Sequence, residues 1–215
     1  MRKRQNHPKL PNAAVSPSFL DAFRTIVSRI ETSIRKAGND RLALPVRMVV
    51  AGGIAVHFYT AVRTTRDVDA TLSHRMLLPD NLEASYRDAD DKARLLYFDR
   101  QYNDTFGLLH QDANKDSIQF PVPGIDPKVV EVRLLSPVDL AVSKLSRFAD
   151  HDRDDIKALA ACGLLKSSEL RKRAEEALQH YIGDPAALKT SIAQACELVA
   201  RASSKSVRRA PGSGK

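Results

Sequence analysis

The hydrophobic period of this chain changes once, and that change limits the folds open to it. Up to residue 135, short apolar runs of period two are interleaved with stretches of helical spacing; from Ser136 onward only helical spacing remains. Strands mixed with helices, then helices alone, predict an α+β fold: a mixed β-sheet flanked by helices, followed by a C-terminal helical bundle. The boundary falls near residue 136. At 215 residues the chain can bury one sizeable core, or one core with a small helical appendage. The spacing therefore predicts a flexible arm at 1–15, an α+β core at 16–135, a helical region at 136–200 and a tail at 201–215.

Within the core, Phe19, Phe23, Ile26, Ile30 and Ile34 recur at helical spacing behind Ser16 or Ser18 as cap, with Gly38 as the stop. "VRMVV" reads as a strand ending at Gly52-Gly53, "IAVHFYTAV" as a short helix, and "RDVDATL" as a strand of period two. Residues 80–93, rich in Asp, Glu and Ala, predict a solvated helix. "ARLLYFDRQYN", "TFGLLHQ", "SIQF" and "KVVEVRLLS" are strand-like. Beyond them, "SPVDLAVSKLSRFA" is a helix with Ser136 as cap and Pro137 in its first turn. Three further helical stretches follow, and no internal repeat is visible.

Charge narrows the partners. The net charge is +8, yet nine of the 34 Lys and Arg lie in residues 1–9 and 201–215, which hold no acid. The remaining 25 stand against 26 Asp and Glu, so the body is close to neutral. The ends are either arms that hold phosphate or solubilising segments. No apolar run approaches the roughly 18 residues of a membrane helix, and the basic start is followed by no apolar signal region, which predicts a cytoplasmic protein without a membrane partner. Cys162 and Cys196 have no Cys or His at ligand spacing, so both are expected as core thiols rather than a disulfide or zinc site.

Two aspartates inside an apolar strand demand a reason. Asp67 and Asp69 are two apart, so a single strand would put both carboxylates on one face, with Val68 on the other. Side by side they repel unless solvent or a cation separates them, and hard oxygen ligands of this kind suit Mg²⁺ or Mn²⁺. Solvated acids on an exposed edge strand are the alternative. Upstream, a strand that ends in Gly52-Gly53 and opens a helix lets phosphate approach backbone amides and the helix dipole; a plain tight turn would look the same. Taken together, the two elements make a nucleotide site, with amides for the phosphates and acids for the metal. Glu131 adds an acid within an apolar strand, either a third carboxylate able to bind metal or accept a proton, or a glutamate facing water. His57 could approach a base or phosphate, or be a packed helix residue.

The joint pattern of Gly52-Gly53, Arg63, Thr65, Asp67, Asp69, the Glu131 strand and then "SPVDLAVSKLSRFADHDRDDIKAL" resembles the minimal nucleotidyltransferase fold. It is most similar to the AbiEii-type toxins of type IV toxin-antitoxin systems and their MenT-like relatives, over roughly residues 45–160. The resemblance implies that Gly52, Gly53, Asp67 and Asp69 bind a nucleoside triphosphate and Mg²⁺, and that Arg63 and Thr65 brace the loop before the acids. It also implies that Lys144, on the helix after the Glu131 strand, contacts phosphate. Asp155, or Asp152, would complete the site.

On this reading residues 16–135 form a nucleotidyltransferase core. The chain would move a nucleoside monophosphate from an NTP to an acceptor hydroxyl, an RNA 3′ end such as that of tRNA, as a toxin with a cognate antitoxin. Its rate would come from positioning and charge neutralisation. Two alternatives stay open: a catalytically inactive binding module of the same fold, and a transferase acting on a small molecule or protein hydroxyl.

Overall fold

A computed structural model describes residues 10–37, 43–63, 65–103 and 107–207, with 205–207 described by backbone only. Gly38, the expected stop of the first helix, lies outside the described residues, as do 1–9 and 208–215 of the basic ends. The chain divides into two compact units, one of residues 1–103 and 116–135, the other of residues 104–115 and 136–215.

The first unit contains α1 (Pro17–Ala37), β1 (Val46–Val50), α2 (Gly52–Thr60), β2 (Asp67–Val68), β3 (Ala70–Leu72), β4 (Glu83–Arg87), β5 (Ala93–Phe98), β6 (Ile118–Gln119) and β7 (Val130–Leu134). Its strands form two sheets, ordered β3-β1-β7-β6 and β2-β5-β4. In the first, β1 runs parallel to β7 and antiparallel to β3; in the second, β2 runs parallel to β5 and β4 antiparallel to it.

Helix α1 buries the stripe the spacing predicts, with Phe19, Phe23, Ile26, Ile30 and Ile34 all inside. Ser16 caps it, its hydroxyl accepting from the Phe19 amide at 3.2 Å. The stripe meets an aromatic cluster. Phe19 packs edge-on against Tyr86 at 5.1 Å between centroids, and Phe23 against Phe58 at 5.0 Å; Phe58 lies 4.7 Å from Phe120. Tilted and edge-to-face pairs of this kind each add about 0.5–1.5 kcal/mol beyond the area they bury. Helix α1 also covers the free edge of β4, where Ser18 donates to the Arg87 carbonyl at 2.7 Å and Arg29 to the carbonyls of Asn81 and Glu83. An edge so occupied is closed to pairing with another chain.

Three expectations for this unit change. Residues 80–93 are not a helix: β4 and β5 form an antiparallel hairpin through them, because Leu82, Tyr86, Leu96 and Phe98 bury one face against α1 while Glu83, Ser85, Arg87, Leu95 and Tyr97 lie on the exposed face. "RDVDATL" is not one strand, since β2 pairs with β5 and β3 with β1, so the chain changes sheets at Asp69. The N-terminal arm is held from Asn12 on, as the Asn12 backbone amide donates to the Phe58 carbonyl at 2.8 Å and Val15 is buried.

The second unit holds all but the last residue of α3 (Ala113–Asp116), with α4 (Pro137–Ser143), α5 (Asp150–Ala161), α6 (Ser167–Leu178) and α7 (Ala186–Val207). Ser136 caps α4 as expected, accepting from the Asp139 amide at 3.1 Å with Pro137 at the first turn. α5 and α6 pack on α7, burying Ile156, Leu159, Leu170, Ala174, Ile192, Ala195 and Val199. The described part of "TFGLLHQ" is irregular rather than a strand. Cys196 is buried, but Cys162, at the end of α5, is exposed and is not a core thiol. Residues 201–207, expected as tail, continue α7.

Candidate active site

The end of β1 is the centre of the site. After Val50 the backbone stays extended at Ala51, then turns at Gly52 with φ of +58° to open α2. A left-handed φ here favours glycine, and space demands it as well. A Cβ on Gly52 would lie 1.7 Å from Oδ2 of Asp69, so the Asp69 carboxylate fills the volume a side chain would need. The Ala51 amide fixes this approach by donating to the Asp69 carbonyl at 2.8 Å. Asp69 thus rests on the first turn of α2, where the helix dipole favours negative charge. Ala51 offers no capping side chain to that turn.

Gly53 is close-packed for a different reason. Its missing Cβ would meet Nε of Arg63 at 2.8 Å and Oγ1 of Thr65 at 3.2 Å, so both residues lie against the helix start. Thr65 is buried and donates from its hydroxyl to Oδ1 of Asp67 at 2.7 Å. This bond selects the orientation of the Asp67 carboxylate. Five of the expected residues, Gly52, Gly53, Arg63, Thr65 and Asp69, therefore gather around the first turn of α2, and Asp67 is tied to them through Thr65.

His57 lies one helical turn on. Its ring packs on Phe19 with centroids 4.5 Å apart, and burial pushes its pKa down against a hydrogen bond with the Arg63 backbone. The ring thus belongs to the aromatic cluster, and its Nδ1 is buried without a hydrogen-bond partner among the described residues.

Glu131 is not brought to the pair. The register of β7 on β1 sets it opposite Arg47, whereas Asp69 stands opposite Ala51, four residues along β1 and roughly 13 Å away at about 3.3 Å per residue. Two guanidiniums hold its carboxylate, Arg133 at 2.7 Å and Arg47 at 3.3 Å. Burial raises the Glu131 pKa, but these two bonds outweigh it and hold the group below the ordinary range. The sequence carried the signal: Arg133 is two residues on, on the same strand face, and Arg47 interrupts the apolar run of β1.

In the second unit Lys144 is the C-cap of α4, just past its last helical residue. The side chain is 7% exposed, with Nζ 2.6 Å from Asp155 and 3.6 Å from Asp152. Asp152 also receives a two-pronged bond from Arg147, at 2.8 Å on each arm, and accepts from the Ala149 amide that opens α5. Burial works to raise its pKa, and the Arg147 bond, Lys144 and Arg147 together more than reverse that. The three predicted residues of this unit thus form one buried ionic cluster. A second pair escaped the sequence reading: buried Asp139 receives Arg173 on both oxygens at 2.8 and 3.0 Å and the Ser136 hydroxyl at 2.6 Å. Arg173 is 34 residues from Asp139 in sequence, and nothing local marks that pairing.

A family model described as "Nucleotidyltransferase of unknown function (DUF6036)" matches residues 28–192, which includes parts of both units and every candidate site residue from Gly52 to Asp155. No curated protein and no solved structure matches the chain. The match covers well over half of the sequence. This chain belongs to the DUF6036 family of nucleotidyltransferases.

Proposed function

We propose that the chain is an NTP-dependent nucleotidyltransferase whose metal-binding pair is Asp67 and Asp69. The observation that carries this reading is the Asp69 carboxylate seated against Gly52 at the start of α2, where phosphate and carboxylate-held cation would meet. The donor set fits Mg²⁺ or Mn²⁺: two hard carboxylates, one oriented by a buried threonine. Among the described residues no group of three or more His, Cys, Asp and Glu is placed to hold a metal. Mg²⁺ suits such a site because it keeps water and substrate phosphate as ligands instead of an all-protein cage. Bound there, the ion would neutralise the triphosphate and favour its α-phosphorus as an electrophile. The chain's own part is positional: Gly52 admits Asp69, Thr65 aims Asp67, and the amides of the α2 turn face the phosphates. The reaction joins the acceptor oxygen to the α-phosphorus, breaks the α–β phosphoanhydride and releases pyrophosphate, with the hydroxyl proton passing to solvent.

Similarity of the joint motif to AbiEii-type and MenT-like toxins supports an RNA 3′ end, such as that of tRNA, as acceptor. It also supports a growth-inhibiting role, with a cognate antitoxin as partner. The acid-free ends supply positive charge for such a polyanion. A nucleotide-binding module without turnover is the second reading, favoured by the engagement of Glu131 with two arginines away from the pair.

Incubation with each labelled NTP, Mg²⁺ and total RNA decides between them. Transfer of label to RNA that is lost in Asp69→Asn and on adding EDTA supports the enzyme. NTP binding without transfer to RNA, protein or small molecule supports the module. Transfer undiminished in Asp69→Asn removes the metal pair from the chemistry.

A further inference from the structure

Tyr97 stands in the middle of the second sheet with its side chain 42% exposed, and Leu95, two residues earlier on the same face, is 43% exposed. The register gives this position meaning. Tyr97 is directly opposite Asp67 on β2, with Glu83 of β4 opposite it on the other side, so the tyrosine and the Asp67 carboxylate share one face on neighbouring strands. The opposite face of the sheet carries Val68, Leu96, Phe98 and Tyr86 into the core, and Tyr86 is the member of this sheet that joins the aromatic cluster. An apolar ring and a leucine left open beside a carboxylate have no packing task on that side.

The change of sheet at Asp69 divides the labour between the two carboxylates. Asp69 stands with Gly52 and the α2 turn, on the side where the triphosphate would lie. Asp67 stands in the other sheet, directly opposite Tyr97. We propose, on the basis of the nucleotidyltransferase reading, that Tyr97 with Leu95 is the stacking platform for the acceptor's terminal base, making the acceptor a single-stranded nucleic acid end. A half-exposed aromatic ring is suited to this because every base has a π-face, so stacking holds the strand end without reading its sequence. Each ring-to-base contact of this kind changes affinity on the order of tenfold or more when removed. A nucleic acid end is favoured over a small-molecule or protein acceptor by the nine Lys and Arg of the acid-free ends, which attract a polyanion.

The test pairs two measurements on the full chain. Affinity for a short fluorescein-labelled single-stranded RNA is read by anisotropy, and KM for the same RNA as acceptor is read with labelled NTP at saturation. Tyr97→Ala should weaken oligonucleotide binding and raise the acceptor KM about tenfold or more, with NTP affinity unmoved, while Tyr97→Phe keeps the ring and should restore both. Leu95→Ser should give a smaller loss in the same direction. An acceptor KM unchanged in Tyr97→Ala overturns the proposal. Equal loss in the Phe and Ala variants does so too, because it assigns the effect to the hydroxyl. Label appearing on protein or a small molecule, with no affinity for the oligonucleotide, also overturns it. Failure of the underlying reading is separately visible as transfer that persists in Asp69→Asn, and the anisotropy series then judges the platform by itself.

Discussion

Replacing Lys144 by Met tests what the buried cluster of the second unit contributes. Methionine keeps the length of the aliphatic stem and removes only the ammonium, so the change isolates the charge. In the native chain Nζ sits 2.6 Å from an Asp155 carboxylate that is 4% exposed, with the fully buried Asp152 at 3.6 Å. Removing one partner of a buried pair typically costs about 3–5 kcal/mol, because the remaining charge stays in a poorly solvated place. That is a large share of the roughly 5–15 kcal/mol that holds a domain together. For a chain of this length it corresponds to a fall in Tm of roughly 6–20 °C, at about 2–4 °C per kcal/mol. The chain has no Trp, so urea unfolding is followed by far-UV circular dichroism. The double variant Lys144→Met with Asp155→Leu, which removes both charges, should regain most of the loss. A single variant within about 1 kcal/mol of wild type would refute the reasoning, since that is the scale of a solvated surface pair. NTP titration of the same protein separates stability from phosphate contact: wild-type stability with lost NTP affinity would move Lys144 into the binding site.

Gly52→Ala should destabilise by at least about 1–2 kcal/mol from its left-handed backbone and should also abolish transfer, because the new Cβ meets Asp69 at 1.7 Å. Gly163→Ala is the matched control: its φ is +72° but nothing lies within 4 Å, so stability falls while transfer, assayed with labelled NTP, persists. The acid limb of the stability curve should flatten in Asp152→Asn. The folded pKa of Asp152 is depressed, so its contribution is present above the ordinary carboxylate range and is lost as pH falls towards the folded value. Urea midpoints measured from neutral pH downward check this, and parallel curves for variant and wild type would count against it.

The strand, glycine pair and helix at 46–60 were legible because β-branched residues, two glycines and a compact apolar stretch follow one another without interruption. The DxD pattern was legible as chemistry but not as geometry. Nothing in "RDVDATL" tells which of two strands each half joins, since that depends on partners about 20 residues upstream for β3 and 30 downstream for β2. The hairpin at 83–98 was hidden by composition: Glu83, Asp88, Asp90 and Asp91 read as a solvated helix, although Leu82 and Tyr86 are four apart, a spacing common to both periods. For Lys144 and Asp155 residue types and order were legible, but their burial and 2.6 Å separation arise from folding α4 against α5. The same holds for Glu131, whose neighbours across β1 and along β7 decide what its charge answers to.

Because the backbone leaves one sheet at Val68 and enters the other at Ala70, the gap between the two aspartates is set by no single element. Asp69 is anchored through the Ala51 amide to the first sheet, while the Val68 carbonyl, just after Asp67, accepts from the Asp99 amide of the second. A rotation of either sheet therefore opens or narrows the distance between the carboxylates like the jaws of a caliper. An ion gripped by both would rivet the two sheets together. Amides of β2 and β3 should then exchange with deuterium more slowly in Mg²⁺ than in EDTA, whether or not any nucleotide is present.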